Sequence, residues 1–257
     1  MKQNQLAAQL YTIREFIKTP SEIAASLAKI KGIGYDAVQV SGMGPIPEEE
    51  LARILEGEGL SCCATHEPGD MILNHPEAVA ERLARLDCRF TAYPFPSGIT
   101  FHSPKEVSSL ARRLERAGSI LNESGVTLTY HNHHIEFRRL GGKTILERLY
   151  EETDPLFLKA EIDTYWVQYG GQDPAAWCRK LEGRLPLLHL KDYAINTSNE
   201  IEFAEVGGGN LDWPEIITAA EKAGCLWFIV EQDVCPGDPF DSLSKSLQYI
   251  KENLLCT

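Results

Sequence analysis

A chain of 257 residues with a formal charge of −12 is long enough to bury a sizeable core, and too acidic to present the basic footprint of a nucleic-acid binder. Its seven cysteines are scattered, odd in number and without a CxxC pair, which excludes a disulfide framework and predicts a reducing, cytoplasmic setting. No segment has the length and apolarity of a signal peptide or a membrane span.

Short apolar runs alternate with helix-like segments along the whole chain. The sequence predicts a strand over 6–11, then a helix over 20–30 opened by Ser21 and Glu22 and stopped by Gly32 and Gly34. A strand at 37–40 is followed by a helix from Pro47, where Glu48, Glu49 and Glu50 sit at the positive end of the helix dipole. Strands at 60–65 and 89–94 bracket a helix over 76–86. A long helix over 104–122 repeats Val107, Leu110, Leu114 and Leu121 on one stripe. Strands at 126–132, 158–162, 187–190 and 228–230 follow, with helices over 143–150, 174–181, 213–223 and 240–253. Eight strands and eight helices in alternation predict an α/β protein, a (β/α)8 or TIM barrel, as one domain over 1–257. Gly207-Gly-Gly209 lacks GxGxxG spacing and reads as a flexible loop.

The chemistry lies at the strand ends. Residues two apart on a strand face one side. Setting Asp163 inward brings Glu161 and Lys159 with it. His189 brings Leu187 and Lys191, Glu231 brings Ile229 and Asp233, and His131 brings Thr129 and His133. The same parity groups Gln9 with Tyr11, Gln39 with Ala37 and His66 with Ala64. In each group the polar member lies at the C-terminal end, the face on which this barrel builds active sites. Carboxylates and imidazoles converging there can hold a divalent cation. Taken singly, Asp163 is a helix cap and His189 a satisfied core histidine. Glu231, behind Trp227-Phe-Ile-Val230, is harder to explain without a partner, because an unpaired buried carboxylate is costly. Glu136 reads as an exposed loop charge that could touch a substrate, and Trp166 as a pocket wall.

Tyr130-His-Asn-His133 with Glu136-Phe137, Asp163-Thr-Tyr-Trp166, His189-Leu-Lys-Asp192, Gly207-Gly-Gly-Asn-Leu-Asp-Trp213 and Glu231-Gln-Asp233 together resemble the xylose isomerase-like barrel superfamily, in particular its sugar phosphate isomerase/epimerase branch. The resemblance spans nearly the whole chain. It implies one divalent ion, manganese, magnesium, zinc or cobalt, with Asp163, His189 and Glu231 in three ligand positions. His131 stands where the branch commonly has a Glu, with Glu136 as a weaker candidate. With one metal-bound Glu instead of two, symmetric epimerisation is disfavoured. Aldose–ketose isomerisation or β-elimination of water from a keto-sugar or polyol is favoured. Glu231 or His133 would remove a proton next to a carbonyl and Lys191 would donate one, while Gln9, Gln39, His66, Glu136 and Trp166 would orient the sugar. The expected partner is a small sugar or polyol, with neither nucleic acid nor membrane, and the branch suggests a homo-oligomer. An abasic-site endonuclease and a non-catalytic sugar-binding barrel are the rival readings.

Overall fold

A computed structural model of the protein describes residues 1–255. The strands among them are β1 (Leu6–Gln9), β2 (Ala37–Val40), β3 (Ser61–His66), β4 (Phe90–Tyr93), β5 (Thr127–His131), β6 (Arg139–Leu140), β7 (Lys143–Thr144), β8 (Lys159–Asp163), β9 (Leu187–Leu190), β10 (Asp192–Ile195), β11 (Ile201–Ala204) and β12 (Trp227–Val230). Eight of them form a closed barrel in the order β1-β12-β9-β8-β5-β4-β3-β2. Neighbours in the barrel run parallel, with β1 paired to both β2 and β12. These are the eight strands that the alternation predicts. The two short antiparallel pairs, β6 with β7 and β10 with β11, are additions carried by the βα loops.

The barrel strands are buried on both faces. Side chains such as Val38, Leu128, Ile162, Leu188 and Phe228 point out against the helices. Ala7, Ala37, Cys63, Ala64, Leu187 and Ile229 fill the lower interior. A register shift between Val38 and Gln39 against β3 pairs Val38 with Cys62 but Gln39 with Ala64, so Cys63 is the extra residue of a bulge. The shift leaves Ala64 and His66 in phase with Gln39.

The helices follow their capping signals. Thr19 and Glu22 form a capping box ahead of the helix Pro20–Ile33, which runs through Gly32 and ends only at Gly34. Gly34 adopts φ +112°, a left-handed cap open to glycine, and donates its N–H to Ile30 and Lys31. The helix Pro104–Glu123 buries Val107, Leu110, Leu114 and Leu121, each contributing about 1.5–3 kcal/mol.

Three expectations are corrected here. The first strand stops at Gln9, and Tyr11 lies in a 3-10 turn (Leu10–Phe16) because the Gln9 side chain accepts from the Tyr11 N–H and breaks the extended run. The helix expected from Lys143 begins at Ile145, since Thr144 caps it and Lys143 belongs to β7. The Gly207–Gly209 segment is not loose. The backbone N–H groups of Gly207 and Gly209 donate to the Asp192 carboxylate at 2.8 and 3.1 Å, and the Trp213 indole N–H does so at 2.7 Å. Cys62, Cys63, Cys88, Cys178, Cys225 and Cys235 are free thiols, and Cys256 lies outside the described residues. Among the described residues, no helix is long and apolar enough to cross a membrane.

Candidate active site

The site is built in two tiers at the C-terminal mouth of the barrel. The lower tier centres on Glu161, which is fully buried on β8. Its Oε1 lies 2.5 Å from His66 Nε2, 3.0 Å from His189 Nε2 and 3.3 Å from His131 Nδ1. Its Oε2 accepts from Gln39 Nε2 at 2.8 Å. Gln39 Oε1 in turn accepts from Gln9 Nε2 at 2.9 Å and from His189 Nε2 at 2.7 Å. One carboxylate thus lies against three imidazoles. Burial alone would raise the Glu161 pKa, but His189 and His66 beside it hold it well below the usual carboxylate range.

The upper tier is a set of carboxylates around one ammonium. Lys191 Nζ lies 2.7 Å from Glu231 Oε2, 2.9 Å from Asp163 Oδ2 and 3.0 Å from Asp233 Oδ2. Burial opposes the Lys191 charge, yet these three acids raise its pKa well above the ordinary value. His189 joins the tiers. Its Nδ1 faces Glu231 Oε2 at 2.8 Å while its Nε2 faces Glu161. Burial would lower its pKa, but Glu161 and Glu231 outweigh that and push it up to about 10. Burial drives Asp163 the other way for an acid, up to about 6, against the pull of Lys191.

Local backbone chemistry fixes these positions. Asp163 caps the helix Thr164–Tyr169 by accepting from the Trp166 N–H at 3.0 Å, which aims its other oxygen into the mouth. Asn132 accepts from the Asp163 N–H at 3.1 Å and ties the end of β5 to that of β8. Thr164 Oγ1 bonds the backbone of His189 and Lys191, holding β9 beside them.

Above the tiers opens a cavity of about 550 Å³. His66, His131, His133, Lys191, Glu231 and Asp233 line its floor, and Trp166 lines its wall, as the strand-end parity leads one to expect for most of them. Burial, with help from His131 and Lys191, lowers the His133 pKa to about 2 and keeps the ring neutral. His134 packs instead against Trp166, with its ring tilted, and edge-on against Tyr169, and it is outside the cavity lining.

Three sugar contacts expected from the sequence are placed elsewhere. Gln9 and Gln39 are fully buried and lie outside the cavity lining; Gln39 bonds Glu161 and His189, and Gln9 bonds Gln39. Glu136 is fully buried as well. It accepts from Tyr130 Oη and from the His133 N–H, both at 2.8 Å, and so shapes the loop that carries His133. Burial raises its pKa to about 7. Conversely, Glu161 and Asp233, which the strand parity places inward but to which the sequence reading gave no role, contact the candidate site residues. Both had a signal, since each shares inward parity with a neighbour already chosen. Arg14, from the 3-10 turn Leu10–Phe16, and Phe95 and Val234, from loops, also line the cavity, where no strand periodicity marks them.

The donor set fits a divalent cation. One ligand atom from each of His131, Asp163, His189 and Glu231 lies within 4.8 Å of the others, and all four residues are buried. His131 Nδ1 and Asp163 Oδ2 have no aligned hydrogen-bond partner, although Glu161 Oε1 lies 3.3 Å from the former and Lys191 Nζ 2.9 Å from the latter. Three carboxylates, Asp163, Glu231 and Asp233, face one lysine here, and an excess of buried negative charge is costly without a further cation. A mixed nitrogen and oxygen set suits manganese, cobalt or zinc.

Comparison with known proteins agrees with the fold. A family model for xylose isomerase-like TIM barrels matches residues 27–253. The inosose dehydratase of Geobacillus thermodenitrificans is 31% identical over 158 residues, which cover 54% of this chain and 52% of that relative. The chain thus spans about half the length of the curated relatives it matches. A solved sugar phosphate isomerase/epimerase from Parabacteroides distasonis superposes with a TM-score of 0.82 at 22% identity, over 97% of this chain and 94% of that one. A probable 3-DHS dehydratase from Bacillus anthracis gives 0.71 at 14% identity, over 98% and 100%.

Proposed function

Because the chain belongs to the xylose isomerase-like TIM barrel family, we propose that it is a metal-dependent isomerase or dehydratase of a keto-sugar or cyclic keto-polyol, with dehydration the preferred reaction. The observation that carries this reading is the contact between Glu231 and Lys191, a base and an acid 2.7 Å apart on the floor of one cavity beside a metal-competent donor set. The half-length match to inosose dehydratases supports the substrate class.

His131, Asp163, His189 and Glu231 would hold the ion, which when bound supplies a Lewis acid to polarise the substrate carbonyl. Glu231 is held ionised: burial would raise its pKa, but Lys191 and His189 keep it well below the ordinary value. It takes the proton from the carbon next to the carbonyl. In dehydration the C–O bond at the next carbon then breaks, and the departing hydroxide receives a proton from Lys191 and leaves as water. Neutral His133 lies at the same floor and binds a substrate hydroxyl or accepts the proton in place of Glu231. His66 and Trp166 orient the ring.

The test is a panel of keto-inositols, keto-sugars and their phosphates in deuterated water with manganese, cobalt, magnesium or zinc, read by NMR. The expected result is deuterium at the carbon next to the carbonyl together with an isomer or an unsaturated product, and a loss of about 100-fold or more in Glu231→Gln. Clean epimer formation would reassign Lys191 to protonation of the opposite face. No exchange and no product from any member would remove the enzyme reading.

A further inference from the structure

A second donor set lies in the lower tier. His66, His131, Glu161 and His189 each offer one ligand atom within 4.8 Å of the others. The three imidazole rings converge, with centroids 5.0 Å apart for His66 and His131, 5.5 Å for His66 and His189, and 4.6 Å for His131 and His189. Their nitrogens meet at a single oxygen. Glu161 Oε1 is 2.5 Å from His66 Nε2, 3.0 Å from His189 Nε2 and 3.3 Å from His131 Nδ1.

Hydrogen bonding does not account for all three contacts. One carboxylate oxygen has about two lone-pair sites, and the third nitrogen, His131 Nδ1, is buried without an aligned partner. A buried nitrogen left in that state is costly, and a cation between it and the carboxylate removes the cost. Donors around a tetrahedral zinc with bonds of ~2.0 Å stand about 3.3 Å apart. The separations from Glu161 Oε1 approach that spacing, and His131 already stands at it. His66 and His131 also line the cavity, which gives an ion its way in from the mouth.

Composition then selects the ion. The upper set has two imidazoles and two carboxylates, whereas the lower set has three imidazoles and one carboxylate. Nitrogen-rich, four-coordinate surroundings favour zinc over manganese. A cation here must also displace the contact of His189 Nε2 with Gln39 Oε1 at 2.7 Å, which calls for an ion that binds imidazole strongly. We propose that the lower tier is a second cation site, selective for zinc, with His66, His131, Glu161 and His189 as its ligands. It does not depend on the reaction assigned to the cavity. Because His131 and His189 belong to both sets, the two ions compete for the same rings.

Substitutions separate the two sets. Asp163 and Glu231 belong to the upper one alone, and His66 and Glu161 to the lower one alone. The chelator-treated Asp163→Asn protein is titrated with zinc by calorimetry, and the ion is located by anomalous diffraction at the zinc edge. One zinc is expected, with its peak among His66, His131, Glu161 and His189. Adding His66→Ala or Glu161→Gln, in double variants whose circular dichroism is unchanged, is expected to weaken zinc binding about 100-fold or more, the upper end of what a lost supporting group costs a metal site. If neither double variant folds, the position of the peak decides alone. Absence of zinc from Asp163→Asn, a peak beside Glu231 instead, or double variants that bind zinc as tightly overturns the lower site. None of these readings involves turnover, so failure of the proposed reaction leaves the zinc site standing.

Discussion

Glu161 is the residue on which the lower tier depends, since its carboxylate lies against three imidazoles and Gln39. By accepting from His189 Nε2 it leaves Nδ1 directed at Glu231 and Asp163, the geometry of a carboxylate that fixes a metal-binding imidazole. Glu161→Gln keeps the shape but replaces one acceptor oxygen with a donor amide. Manganese affinity measured by calorimetry is expected to fall about 10–100-fold, with the circular dichroism spectrum unchanged. Unaltered affinity would mean that the three imidazoles hold their orientation without it. Glu136 allows a test by pH. Its folded pKa of about 7 lies above the ordinary value of 4.5 because of burial. A raised pKa contributes stability that is full below the unfolded value and is lost as pH rises through the folded one. The window is therefore about pH 4.5 to 7, and the loss is on the order of 3 kcal/mol at 1.36 kcal/mol per unit. Relative to Glu136→Gln, which can still accept from His133 and donate to Tyr130, the wild type should lose stability between pH 5 and pH 8 in urea titrations. Parallel pH profiles would contradict this.

At the scale of elements, the loop after β11 is a cage around an anion supplied by the chain itself. Asp192 is fully buried and receives the N–H groups of Tyr193, Gly207, Gly209 and, at 3.3 Å, Leu211, besides the Trp213 indole. A Cβ on Gly209 would stand 2.3 Å from Asp192 Oδ1, so the glycine is required by close approach. Asp192→Asn places an amide among donors and should cost about 2–4 kcal/mol, seen as a lower urea midpoint. Gly209→Ala should destabilise as well. A midpoint unchanged in both would show the loop to be slack. A triple glycine reads as flexible from sequence because the acid that organises it lies 15 residues upstream of the first glycine N–H it binds. The same limit hid the burial of Glu136, since its partner hydroxyl on Tyr130 and its loop become neighbours only when the chain turns back on itself. Helix boundaries, by contrast, were local matters of caps, and the eight expected helices recur within a few residues.

For the whole molecule, alternation of strands and helices was legible because each unit repeats the same local chemistry, and a closed eight-stranded barrel is its consequence. Strand parity also located His131, Asp163, His189 and Glu231 at one mouth, because period two converts sequence spacing directly into facing. Parity does not report depth. Gln9, Gln39 and Glu161 face inward as their spacing requires, but sit below the floor, where they brace the histidines. Other residues that line the cavity were not legible, as Arg14 comes from a 3-10 turn and Phe95 and Val234 from loops, none with a strand's period. The central claim joining these scales is that the four residues at the mouth hold one divalent ion. It is tested most directly by calorimetric titration of the chelator-treated protein with manganese, beside folded Asp163→Asn and His189→Gln variants. The account predicts one ion per chain in the wild type, with affinity at least 100-fold weaker in each variant. A wild type that binds no ion, or variants that bind as tightly as it does, would contradict it.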